Sequence, residues 1–186
     1  PLIQRANEIL YSESGFYSAY NEAAFSEEFV FRGPYIGPLN KRDYLETMDT
    51  FKIYQAIPDI SPNAYGFSID PKDPNRVWFM VRNSGTCTGE IGLDRDGKLR
   101  IPGKGAVLDG CPETFSITFD ADRKVKYLSI GYVADRFEGG EHSAKVVSCT
   151  YYGCTYYGEH SAKVFTLTLT RALTLTMNLA LALTLT

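Results

Sequence analysis

Asp135 and Arg82 are the side chains of this sequence best suited to chemistry. Asp135 ends a predicted strand. A carboxylate partly withdrawn from water has its pKa raised toward neutrality, where it can take up and return protons. Arg82 closes the run Trp78-Phe79-Met80-Val81-Arg82 and shares strand parity with Trp78 and Met80. If that face is the concave one, Arg82 can hold a carbonyl or anionic oxygen; on the other face it is a solvated strand charge. Asp135 has a structural alternative as well, an ion pair with Arg136 or Arg82. Cys87 would need a lowered pKa and a nearby base to act as a nucleophile, and no histidine precedes His142, so a small buried thiol is the simpler role. Thr86 and Thr88 can donate to a ligand but are also ordinary strand residues. Tyr44, Tyr54, Tyr65 and Tyr132 can line a pocket or donate a proton, yet a chain with thirteen tyrosines needs most of them for packing.

Several chemistries are disfavoured. The sequence has no glycine-rich phosphate loop, nucleophile elbow or paired-cysteine motif. Cys87, Cys111, Cys149 and Cys154 lack zinc-site spacing and read as free thiols of a reducing compartment, so neither a metal nor a cofactor is expected. Nineteen basic residues against twenty-two acidic ones, a net charge of -3, argue against nucleic acid as a partner. The chain begins at Pro1, as a processed or partial sequence would, and shows no signal-peptide pattern there.

A length of 186 residues suits one domain. Residues 1–138 carry a mixed sequence that can build a core. Leu2, Ile3, Ala6, Ile9 and Leu10 have helical spacing, as do Phe16, Tyr20, Ala23 and Ala24 in a second predicted helix ending near Ser26. Phe29-Val30-Phe31 is a short strand. Asn40 is an N-cap, with Asp43 in the first turn of a helix running to about Phe51. Strands are predicted over 53–57, 63–69, 77–83, 86–91, 115–119 and 125–133, with turns at 70–75 and 120–124. Helices followed by a long antiparallel meander make an α+β domain, with helices packed on a curved sheet and a cavity between them.

Residues 139–186 differ in kind. The run Gly140-Glu141-His142-Ser143-Ala144-Lys145-Val146 recurs from Gly158 to Val164, and both histidines are copies of one repeat position. From Phe165 to Thr186 bulky apolar residues alternate with Thr, Ala or Asn178, interrupted at Arg171. As one strand this stretch would extend roughly 73 Å, far beyond an ordinary strand. Three readings stand: a segment that packs on a partner or membrane, low-complexity sequence of little function, or an unreliable stretch of sequence.

The run Trp78-Phe79-Met80-Val81-Arg82-Asn83-Ser84-Gly85-Thr86-Cys87-Thr88-Gly89 resembles the central strand of SnoaL-like proteins in the nuclear transport factor 2 (NTF2-like) superfamily. Phe115-Ser116-Ile117-Thr118-Phe119-Asp120, Lys124-Val125 and Gly131-Tyr132-Val133-Ala134-Asp135-Arg136-Phe137 resemble its last hairpin, which often ends in Asp. Phe31-Arg32-Gly33-Pro34 and Gly37-Pro38-Leu39-Asn40-Lys41-Arg42-Asp43-Tyr44 resemble its loop and third helix. The likeness covers roughly residues 15–138 and is nearest to SnoaL-like proteins of photosynthetic eukaryotes. It implies a cone with a pocket, which in the family's enzymes (cyclases, isomerases, dehydratases, epoxide hydrolases) holds an Asp, His or Tyr as acid or base. It also implies homodimerisation through the convex sheet face. Cys87 stands where those enzymes often have histidine, which weighs against imidazole chemistry. The favoured expectation is therefore a non-catalytic accessory subunit, docked through residues 140–186 on a larger assembly or membrane, in a plastid or otherwise soluble inside the cell. The alternative is an enzyme for a small hydrophobic ligand, with Asp135 as acid/base, Arg82 polarising an oxygen, and Trp78, Met80, Thr86, Cys87, Tyr44 and Tyr132 around the pocket.

Overall fold

The computed structural model describes residues 1–33, 37–92 and 100–134. Residues 139–186 and the expectations placed on them lie outside the described residues, as does Asp135.

The chain opens with α1 (Leu2–Glu8), which continues directly into a π-helical turn, Ile9–Glu13. Ala6, Ile9 and Leu10 turn inward, and Arg5 on the outside reaches Glu13 with two hydrogen bonds of 2.8 and 2.9 Å. The second predicted helix is not formed. Gly15 adopts a φ of +89°, a left-handed conformation open to glycine, and a Cβ there would come within 2.8 Å of Met48 Cγ. The Ser14 hydroxyl donates to the Leu10 carbonyl and closes the turn. Only a 3₁₀ turn, Glu22–Ala24, remains of the expected helix. The first strand, β1 (Phe25–Arg32), consequently starts earlier than the sequence suggested.

A short β2 (Leu39–Asn40) leads into α2 (Lys41–Phe51), where the Asn40 side chain caps the helix by accepting from the Asp43 N–H at 2.9 Å. Asn40→Ala removes that cap, with an expected loss of about 1 kcal/mol of stability by urea denaturation. Lys52, at φ +43°, ends α2, and α3 (Ile53–Ala56) follows where a strand was predicted. The reason is spacing: Ile53, Ala56 and Ile57 stand at i, i+3 and i+4, and all three are buried.

The remaining strands are β3 (Tyr65–Ile69), β4 (Arg76–Val81), β5 (Ser84–Cys87), β6 (Glu90–Gly92), β7 (Arg100–Pro102), β8 (Ala106–Asp109), β9 (Glu113–Phe119) and β10 (Val125–Val133). The main sheet has the order β2-β1-β10-β9-β4-β3. Its pairings are antiparallel except for β1 against β10, which is parallel and was not foreseen. The pairs β4·β9, β5·β8 and β6·β7 form successive rungs of one long, bent hairpin. The hairpin is pinned to α3, because the Thr88 and Gly89 N–H groups both donate to the Ala56 carbonyl.

The inner face of the sheet carries Val77, Phe79 and Val81 of β4, Phe115, Ile117 and Phe119 of β9, and Val125, Leu128 and Ile130 of β10, all buried. Against them pack the inward residues of α1 and Tyr44, Leu45 and Met48 of α2. Each fully buried apolar side chain contributes about 1.5–3 kcal/mol. The result is the expected α+β cone: helices on the concave face of a curved sheet. No helix among the described residues is long and apolar enough to cross a membrane.

Candidate functional site

The inner face of β9 reads Glu113, Phe115, Ile117, Phe119, because alternate residues of a strand share a face. Glu113 thus belongs to the apolar side of the sheet. It is 1% exposed, and neither carboxyl oxygen finds a hydrogen-bond partner among the described residues. It pairs with Val81 on one side and Val133 on the other, at the end of the sheet where β4 bends into β5 and β8 runs into β9. Burial pushes its carboxyl up to about 7 from the ordinary 4.5. Desolvation alone does this, since no neighbouring charge is among the causes.

Asn83 continues the inward line of Val77, Phe79 and Val81, and is 2% exposed. Its carbonyl accepts from the Gly110 N–H at 2.7 Å, which places it beside Gly110 and Cys111, one pleat from Glu113. A Cβ at Gly110 would meet the Asn83 backbone at 2.8–2.9 Å, so this approach requires glycine. The Tyr17 hydroxyl donates to Asn83 Oδ1. Tyr17 is delivered by the turn after the π-helix, which is anchored by the Tyr44 hydroxyl donating to the Ser14 carbonyl. Glu113, Asn83 and Tyr17 come from three separate parts of the chain and form the polar end of an otherwise apolar interior.

Among the described residues, those predicted from the sequence do not converge in this way; Asp135 lies outside them. The register Val77↔Ile117 and Trp78↔Ser116 puts Trp78 and Met80 on the outer face of the sheet. There Trp78 Nε1 donates to Asp70 Oδ2 at 2.7 Å, holding that carboxyl below the usual carboxylate range, and the Arg76 guanidinium lies 4.0 Å over the indole. Met80 Sδ accepts from the Thr114 hydroxyl at 3.5 Å. Arg82 follows β4 with the parity of that outer face, half-buried, its N–H donating to the Pro62 carbonyl. Tyr44 lies at the centre of the core, and its burial pushes the phenol upward. Cys87 and Cys111 are both buried. Thr86 is half-buried and gives its N–H to Asp59 at 2.6 Å. Tyr132 is 42% exposed and donates to the Gly33 carbonyl at 3.4 Å; Tyr65 is exposed and Tyr54 half-buried. Among the described residues no three His, Cys, Asp or Glu side chains converge as a metal would need.

Glu113 was missed although its signal was present. It carries the parity of Phe115, Ile117 and Phe119, so a charged residue occupies an apolar strand face.

No family model matches the chain, and no curated protein does. Solved structures do. A protein of Jannaschia sp. CCS1 described as a SnoaL-like polyketide cyclase matches with a TM-score of 0.53 at 13% identity, over 70% of this chain and 83% of that one. An NTF2-like protein from Anabaena variabilis matches at 0.48 and 11% identity, over 72% and 90%. A polyketide cyclase by description, from Acidithiobacillus ferrooxidans, matches at 0.46 and 15%, over 70% and 84%. At 13% identity the likeness to the Jannaschia structure speaks for architecture alone: this chain has the NTF2-like α+β cone fold of that SnoaL-like protein.

Proposed function

We propose that this chain is an enzyme-type pocket protein that moves protons on a small apolar molecule, with Glu113 as the acid/base. One observation carries the reading: a buried carboxyl on the inner sheet face with neither oxygen partnered among the described residues. Burying such a group without a partner costs about 1–3 kcal/mol, a penalty that active sites commonly hold. A carboxyl titrating at about 7 is suited to give and regain a proton near neutral pH. As the acid, Glu113 gives its proton to a ligand oxygen. The resulting carboxylate takes a proton from an adjacent carbon, and the acid is restored with no atom gained or lost. Isomerases and cyclases use this kind of step, and the Jannaschia protein's description as a polyketide cyclase agrees with it. The accessory-subunit expectation rests on the missing histidine, the lack of a second strong catalytic group and the Leu/Thr segment, which lies outside the described residues.

The test is native mass spectrometry of the full chain, followed by deuterium exchange in the molecule it retains. Wild type is expected to carry a small molecule and to exchange solvent deuterium into it, with Glu113→Gln at least 100-fold slower. A ligand-free chain held in a larger protein assembly would overturn the proposal in favour of the accessory role.

A further inference from the structure

The main sheet ends in two unlike edges. β2 is two residues long, follows Pro38 and is followed by Lys41 and Arg42. Short length, proline and charge are what guard an edge strand against pairing with another chain. β3, at the other end, runs five residues, and the stretch from Asn63 to Ile69 holds neither a charged residue nor a proline. Its outer side has no strand partner among the described residues. The flank of α1 beside β3 is of the same kind. The Tyr11 hydroxyl, in the π-helical turn, accepts from the Ala64 N–H at 3.4 Å and ties the helix to the start of the strand. Ile3, Asn7 and Tyr11 recur at every fourth residue and are exposed, while Arg5 turns to Glu8 and Glu13. Six large hydrophobic side chains are exposed among the described residues, and Ile3, Tyr11, Tyr65 and Ile69, at 38%, 40%, 43% and 40%, are four of them. They belong to this one edge and its flanking helix.

Charge frames the uncharged edge. Arg82 stands beside its start, its N–H donating to the Pro62 carbonyl and its carbonyl accepting from the Asn63 side chain. Asp70 and Asp73 follow its end, with Lys72 between them. Arg76 points away from the edge, to Ser116 and Tyr127. The start is therefore positive and the end net negative. Two such edges set antiparallel about a two-fold axis bring the Arg82 end of each copy to the Asp70–Asp73 turn of the other, with the uncharged strands between. A parallel pairing would oppose like charges.

We propose that β3 is a self-association edge: two copies of this chain pair antiparallel through Tyr65–Ile69, flanked by their α1 helices, so that one sheet runs through the dimer. The bulge between Tyr65 and Ser68, with Gly66 at φ +67°, leaves Phe67–Ile69 as the regular part of the edge. The interface is accordingly small and the dimer reversible. It uses the edge of the sheet and leaves the convex face open.

Sedimentation velocity of the full chain from about 1 to about 200 µM, with amide hydrogen exchange at both ends of that range, tests this. A monomer–dimer equilibrium is expected, with exchange of residues 65–69 slowed at the high concentration. Ile69→Lys and Ile3→Lys change exposed positions, and an unchanged urea midpoint shows that each variant is folded. Each should weaken the dimer about tenfold or more by placing a charge in the uncharged strip. Tyr132→Lys, on the outer sheet face, should leave it unchanged. A chain that stays monomeric throughout would overturn the proposal, as would a dimer that Ile69→Lys spares or that Tyr132→Lys breaks. Exchange of residues 65–69 that is equally slow at both concentrations would overturn it too, because the edge would then be covered within a single copy.

Discussion

Stability of the wild-type chain should fall as pH rises from about 4.5 to about 7 and then level off, by a total of about 3 kcal/mol attributable to Glu113. The sign follows from linkage. The folded-state value, about 7, lies above the ordinary 4.5 of an unfolded chain. Between the two values the folded protein holds a proton that the unfolded chain has released, so raising the pH favours unfolding. Below 4.5 both states are protonated and the penalty is absent; above 7 it is fully present. The two and a half units between the two values, at 1.36 kcal/mol each, set the size. Asp59 and Asp70, both held below their usual range by hydrogen bonds, act in the opposite direction at lower pH. The comparison with Glu113→Gln isolates the one group. Wild type and variant should be equally stable well below pH 4.5, at about pH 3.5, where the glutamate is neutral folded and unfolded, and the variant more stable by about 3 kcal/mol at pH 8. Urea denaturation at four pH values measures both. A variant less stable than wild type at pH 8 would show that Glu113 has a stabilising partner, and the functional reading would fall with it. A substitution that stabilises the fold while removing acid/base capacity is the expected mark of a group retained for function.

Replacing Tyr44 should have the largest purely structural effect. Its ring is fully buried, with centroids at 5.0 Å from Phe29, 5.1 Å from Phe31, 5.5 Å from Phe25 and 6.3 Å from Phe16. It joins α2 to β1 and to the turn that delivers Tyr17. Tyr44→Ala would open a cavity at the meeting point of four phenylalanines, with an expected loss of about 4 kcal/mol in urea denaturation. That is a large share of the 5–15 kcal/mol typical of a domain's stability. Tyr44→Phe keeps the ring and removes only the donor to the Ser14 carbonyl, so about 1–2 kcal/mol is expected. An alanine variant losing less than 1 kcal/mol would mean that the aromatic cluster is not the centre of the core.

The two predictions concern opposite ends of one interior, and they differ in how far the sequence announced them. Tyr44 lies within the helix predicted to run to about Phe51, and with Leu45 and Met48 it has the helical spacing of a buried face. Glu113 was as visible by parity, yet a carboxylate on an apolar strand face acquires meaning only with its neighbours. Those neighbours come from Val81, Val133, Asn83 and Tyr17, positions as far as 96 residues away in the sequence.

Local chemistry was readable wherever a few adjacent residues settle the outcome. Asn40 caps α2, the prolines and Asx residues of 70–75 turn the chain, alternation marks β9, and β-branched and aromatic residues mark β4 and β10. Where two local rules competed, the fold decided. Helical spacing from Phe16 to Ala24 gave way to the left-handed Gly15, and the residues 53–57 that resembled a strand became α3 because their inward side chains reach the core at i, i+3 and i+4. Strand parity divided Trp78, Met80 and Arg82 from Val77, Phe79 and Val81 at once. It could not say which set faces inward, since both faces of β4 carry large apolar residues. Tertiary packing made that choice and also the parallel pairing of β1 with β10. Burial and the absence of a partner among the described residues depend on every element that surrounds a group, so the raised titration of Glu113 belongs to the assembled fold and to no stretch of sequence by itself.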